Sequence, residues 1–98
     1  MKSFNESTNM KEDEKYFLKR ILNEGLKDEN NNIRISYKTP RDIINEANFS
    51  LQHKRAWFLL RKWANKGWYN WGVVLDLGWL EIKGIRIVKS LQYDEVTY

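Results

Sequence analysis

The chain has 98 residues, 42% of them hydrophobic and 31% charged, which suits one globular domain and excludes wholesale disorder. It has no cysteine, which excludes a disulfide scaffold, a thiolate zinc site and a cysteine nucleophile. The net charge of +4 is unevenly spread: residues 34–66 hold eight basic side chains against Asp42 and Glu46, so the middle third carries all the excess. Those cations are Arg34, Lys38, Arg41, Lys54, Arg55, Arg61, Lys62 and Lys66. Such a block is the electrostatic footprint of an anionic partner, nucleic acid first. A solvated basic face without a partner is the plain alternative.

Residues 1–10 read as a polar tail, and nothing in the first 15 residues forms the apolar stretch of a secretory signal. The longest apolar runs, 56–60 and (counting Gly) 72–75, are too short to cross a bilayer, so no membrane association is expected and the cytoplasm is the expected compartment.

Residues 11–25 predict a first helix. Glu12, Asp13 and Glu14 suit its first turn, Phe17, Leu18, Ile21 and Leu22 form one apolar face, and Gly25 stops it. After the loop Asn30-Asn31-Asn32, Ile33 and Ile35 alternate with Arg34 and Ser36, which predicts a short half-buried strand. Thr39 and Pro40 open a second helix ending near Asn48, with Ile43, Ile44 and Ala47 as its apolar face. Phe49 plugs the turn. Ser50 is expected to cap a third helix that reaches Lys66 and stops at Gly67, with Ala56, Leu60, Trp63 and Ala64 facing inward.

Beyond Gly67 the pattern turns to strands: residues 68–75, a turn at Asp76-Leu77-Gly78, and a return over 79–82. Ile85, Val88 and Leu91 fit either a short last helix after Gly84 or a further strand, and residues 93–98 read as a tail. The result is one domain over residues 11–92. It is mainly α with a small β-hairpin (α+β), in the order helix, strand, helix, helix, strand, strand, with a short C-terminal helix as one reading of its end.

Three stretches carry a family resemblance, which covers roughly residues 11–91. Residues 39–66 look like a helix, a turn and a recognition helix whose end, Leu60-Arg61-Lys62-Trp63-Ala64-Asn65-Lys66-Gly67-Trp68, resembles an "LxxLxxKG" pattern leading into a wing. Trp79-Leu80-Glu81-Ile82-Lys83-Gly84 resembles a last wing strand followed by the "LTxKG" entry to a C-terminal helix. The chain thus resembles the winged helix-turn-helix superfamily. That resemblance implies double-stranded DNA as partner and a small regulator or phage or mobile-element accessory factor as role. The chain departs from the common pattern in a longer recognition helix and in Asp76 at the wing turn.

At 100° per residue, Lys54, Arg55, Arg61 and Lys62 fall opposite the apolar face of the third helix, with Phe58 among them. The resemblance places the base readers in the helix's first turn: Gln52, His53, Lys54 and Arg55, after Ser50. Gln can bond adenine and Arg guanine, while Arg61 and Lys62 suit phosphate. Thr39 and Arg41 suit phosphate at the second helix's start, although Thr39 is equally explained as a cap. For Phe58, burial against the first helix is the first expectation, with stacking on a nucleotide or contact with a partner subunit as the alternatives, and Trp57 is read the same way. Trp71 and Trp79 are expected to pack in the sheet; their joint exposure would favour dimerisation, and a homodimer on a two-half-site operator is one form the DNA reading takes.

His53 stands alone, no carboxylate pair or Gly-rich phosphate loop is present, and no enzyme activity, metal, cofactor or small-molecule ligand is expected. The alternative to DNA is a winged helix used purely as a protein-interaction module, and RNA remains a third partner that charge alone permits.

Overall fold

Three acidic residues at the start of the first helix, α1 (Glu12–Glu24), complement the macrodipole, and the Gly25 amide closes the far end on Ile21 O at 2.8 Å. The computed structural model describes residues 10–96, with side chains described for 10–91. Most of the expected tail at 1–10 therefore lies outside the described residues, while Met10 packs against the core. Phe17, Leu18, Ile21 and Leu22 are buried on one face as their spacing requires.

The expected strand at 33–36 does not form. Only an isolated bridge, Lys27 to Ile33, remains, and Ile33 and Ile35 are exposed. The cause is Arg34. Its amide donates to Leu26 O, and its guanidinium donates to Gly25 O (2.8 Å) and Lys27 O (3.2 Å), satisfying the carbonyls that follow α1. With Arg34 turned inward, the alternation is inverted and its neighbours face solvent. The preceding turn is built on Asp28, whose carboxylate accepts the amides of Asn30 and Asn32, with Asn31 in the left-handed region at φ 65°.

Thr39 and Asp42 cap α2 (Pro40–Ile44) reciprocally, side chain to amide in both directions at 3.1 and 2.9 Å. This helix ends at Ile44 rather than near Asn48, and Ala47 is exposed rather than part of an apolar face. Glu46, just past its end, is drawn away by Arg20 and Lys38. Phe49 plugs the turn as expected, its ring 5.2 Å from that of Phe17.

The helix α3 (His53–Lys66) begins after Leu51, which is buried and fixes the entry. Its N-cap is therefore Gln52, with no side-chain cap bond, and Ser50 does not serve as the cap. Gly67, at φ 79°, ends it in the expected place: the Gly67 and Trp68 amides return to Ala64 O and Trp63 O.

Two short strands follow, β1 (Tyr69–Trp71) and β2 (Gly78–Leu80), paired antiparallel with Tyr69 opposite Leu80 and Trp71 opposite Gly78. The turn is longer than Asp76-Leu77-Gly78, since Gly78 lies in β2 and residues 72–77 form the connection. That connection winds around the Tyr69 phenol, which donates to Leu75 O and accepts the Gly78 amide at 2.9 Å. Burial holds the phenol's pKa well above its ordinary value.

The end of the chain resolves as a helix, α4 (Ile82–Val96), which starts before Gly84 and runs into the segment read as a tail. Ile85, Val88 and Leu91 face inward, and Gly84 lets α4 approach the Trp68 carbonyl, since a Cβ there would lie 2.3 Å from that oxygen. The described residues thus form a small α+β domain, four helices and one hairpin around a single core that joins Phe17, Ile43, Leu60, Trp63, Trp68, Leu80 and Val88. Among them no helix is long and apolar enough to cross a membrane.

Candidate nucleic-acid interface

Helix α3 sorts into three arcs. Ala56, Leu59, Leu60 and Trp63 enter the core. Lys54, Trp57, Phe58, Arg61 and Asn65 form the opposite, exposed arc. Arg55 and Lys62 lie between the two, where α1 passes. Arg55 makes a bidentate pair with Asp13 at 2.9 and 3.1 Å, and Lys62 reaches Glu14 at 3.1 Å. The expected surface of four cations is therefore reduced to Lys54 and Arg61, which have no partner among the described residues. The first-turn acids of α1 serve two purposes, dipole and ion pair. Local reading of the sequence detects the first and has no means to detect a contact 42 residues away.

Glu14 is the buried member of this contact, 2% exposed, and its other oxygen accepts the Trp63 indole N–H at 2.8 Å. The indole and ammonium together satisfy a carboxylate that would otherwise be too costly to bury.

Phe58 and Trp57 are 56% and 36% exposed, contrary to the expectation of burial. The Arg55 guanidinium sits 5.7 Å from the Phe58 ring centroid. Phe58 also lines a shallow depression with Arg61, Lys62, Asn65 and Lys66, so an aromatic face and three cations border one surface. Gln52 and His53 are exposed at the start of α3, beside Lys54.

Arg41 is engaged by a carboxylate. Its guanidinium makes a two-pronged contact with Asp76, both distances 2.9 Å, and its amide donates to Asp76 O. That carboxylate holds the Arg41 pKa above its ordinary value. Asp76 is correspondingly buried rather than at the tip of a wing. Thr39 is occupied by its capping box, and Ser50 is exposed without a role in the helix start. Of the residues singled out from sequence, the structure gathers Gln52, His53, Lys54 and Arg61 on α3 and engages Thr39, Arg41, Arg55 and Lys62 in contacts within the domain, with Arg41 and Lys62 still partly exposed.

A second internal network joins α1 to the turn after α2. Arg20 contacts Glu24, Glu46 and Tyr16, and Lys38 contacts Glu46 (2.6 Å) and Glu24 (3.4 Å). Hydrogen bonds from these cations, and from Arg55 to Asp13, hold the carboxyls of Glu24, Glu46 and Asp13 below their ordinary values of 4.5, 4.5 and 3.8. A carboxyl depressed on folding contributes stability that is complete above its unfolded value and lost as pH falls through its folded one. The melting temperature is expected to be level from neutral pH down to about 5 and to fall progressively below about 4. A pH series of thermal melts checks this, and a melting temperature unchanged down to pH 2 would contradict it.

Compared with known proteins, the chain matches no family model, no curated protein and no solved structure.

Proposed function

We propose that this domain is a winged-helix-like duplex DNA-binding protein, a small regulator or accessory factor, with the exposed arc of α3 as its reading surface. The observation that carries the reading is the make-up of that helix's start. It has no side-chain cap and no acidic residue in its first turn, and Lys54 and Arg55 stand where the macrodipole disfavours cations, Arg55 alone being matched to a carboxylate, Asp13. A sequence that breaks a local stability rule at one exposed helix end fits a site kept for an anionic partner. Lys54 and Arg61, one on each side of Phe58, suit phosphates or guanine edges in a major groove, and Phe58 suits the thymine methyl group. Gln52 and Asn65 offer amides for adenine. The connection 72–77 contains no cation, so the hairpin adds shape rather than charge.

Fluorescence anisotropy of a labelled duplex tests this. Micromolar or tighter binding at low salt, weakening steeply with salt, is the expected result. The double variant Lys54→Ala, Arg61→Ala is expected to lose affinity and to flatten the dependence of log K on log salt by about 2 units. A folded parent protein that binds no duplex at low salt overturns the reading.

Gln52 supplies a sharper check. Gln52→Asp installs a capping carboxylate and is expected to stabilise the domain by about 1 kcal/mol while weakening DNA binding. Stabilisation without loss of affinity would place the start of α3 outside the interface.

A second reading rests on the hairpin, where Trp71 is 41% and Val73 90% exposed. Apolar side chains at such a tip suit a protein partner or a second copy. Sedimentation that stays monomeric at high concentration, together with tight DNA binding, would remove it.

A further inference from the structure

The ion-pair arrangement moves the free positive charge away from the segment where the sequence concentrates it. Lys38, Arg41, Arg55 and Lys62 are matched to carboxylates. On α4, Lys83, Arg86 and Lys89 are exposed and have no partner among the described residues. At 100° per residue Arg86 lies opposite the buried Gly84, Ile85, Val88 and Leu91, with Lys83 and Lys89 on its two sides. No acidic side chain occurs between Ile82 and Leu91. Among its described side chains the helix thus presents three cations without a partner, more than the two on the exposed arc of α3, while Asp94 and Glu95 follow in its last turn.

The surroundings add polar groups suited to phosphate. Arg86 and Lys89 line a groove with Asn30 and Asn31 of the Asp28-centred turn, over a floor of Ile82 and Ile85. Glu29 shares this groove and offsets one charge, leaving the stripe and groove together at +2. The three cations span about 9 Å along the helix, against an axial rise of about 3.4 Å per phosphate on one DNA strand. They can therefore meet successive phosphates.

A membrane surface fits less well. An interfacial helix needs a free apolar face beside its cations, and here Ile85, Val88 and Leu91 are already in the core.

We propose that the Lys83–Arg86–Lys89 stripe of α4 is a second DNA-contact surface that grips the phosphate backbone of a duplex segment other than the one held by α3. This rests on the DNA reading above. Helix α3 packs along β1 and α4 along β2, and both send their apolar faces into one core. The two helices lie against different strands and are not packed side by side, and their exposed faces are taken as separate contact surfaces for two duplexes. The contact is to phosphate, so it is independent of sequence and sensitive to salt.

The test captures a fluorescent duplex on an immobilised duplex through the full chain, with single-duplex affinity measured in parallel by anisotropy. The parent is expected to capture the second duplex. The triple variant Lys83→Ala, Arg86→Ala, Lys89→Ala is expected to keep single-duplex affinity within about threefold while capture falls more than about tenfold, as loss of up to three phosphate contacts implies. All three side chains are exposed, and a thermal melt matching the parent's confirms folding. Capture undiminished in the triple variant overturns the proposal, because bridging would then come from dimerisation. So does a parent that binds one duplex and never captures a second, or one whose α4 cations serve only to bind phosphatidylserine vesicles. A parent that binds no duplex at all fails earlier, at the DNA reading itself.

Discussion

Replacing Glu14 with alanine is expected to cost about 3 kcal/mol, the scale seen when one partner of a buried polar pair is removed. The loss has two parts. The Trp63 indole N–H, 2.8 Å from the carboxylate, is left in the core with no acceptor. Lys62 also loses its partner, but its side chain is 36% exposed and rehydrates at little cost. For a domain of this size the shift corresponds to a melting temperature lower by roughly 10 to 25 °C, readable by circular dichroism. Glu14→Gln retains an acceptor for the indole and is expected to lose about half as much. A Glu14→Ala protein melting with the parent would mean that water reaches Trp63, and the contact would lose its standing as the bolt between α1 and α3.

The other large effect is at Gly78. A Cβ there would fall 2.1 Å from Asn70 O and 2.6 Å from Cζ and Oη of Tyr69. The carbonyl belongs to β1 and the phenol oxygen is held by two hydrogen bonds, donated to Leu75 O and accepted from the Gly78 amide, so neither yields without dismantling the hairpin. Gly78→Ala is expected to destabilise by about 3 kcal/mol or more, at the upper end of overpacking costs. Gly72 is the internal control. A Cβ at that position meets nothing within 4 Å, and Gly72→Ala is expected to stay within about 0.5 kcal/mol of the parent. Urea denaturation of the two variants side by side decides it. Equal midpoints would show that the phenol does not sit where the Gly78 amide meets it.

Much of this architecture is legible in the chain. The apolar face of α1, the capped start of α2, the Gly67 stop and the strand pair after it all follow from local rules, because each depends on residues within a turn or two of one another. The errors share a cause. Ile33 and Ile35 have the alternation of a half-buried strand, yet Arg34 wins the inward position through three backbone carbonyls that no pattern of apolar residues reveals. Ser50 is the better capping residue by type, but burial of Leu51 moves the helix start beyond it. The charge block has the composition of a continuous basic surface, yet Arg41 and Arg55 are matched to carboxylates 35 and 42 residues away. Sequence locates charge, whereas only the fold decides which charges remain uncompensated.

The connection between the strands has a kinetic consequence. It is wound on Tyr69 at its centre and fastened to the first turn of α2 through Arg41 and Asp76. A loop tethered in this way reaches an encounter already in shape, so little ordering entropy is charged against association. Its contribution to the approach of any partner is then set by orientation, not by a search through loop conformations.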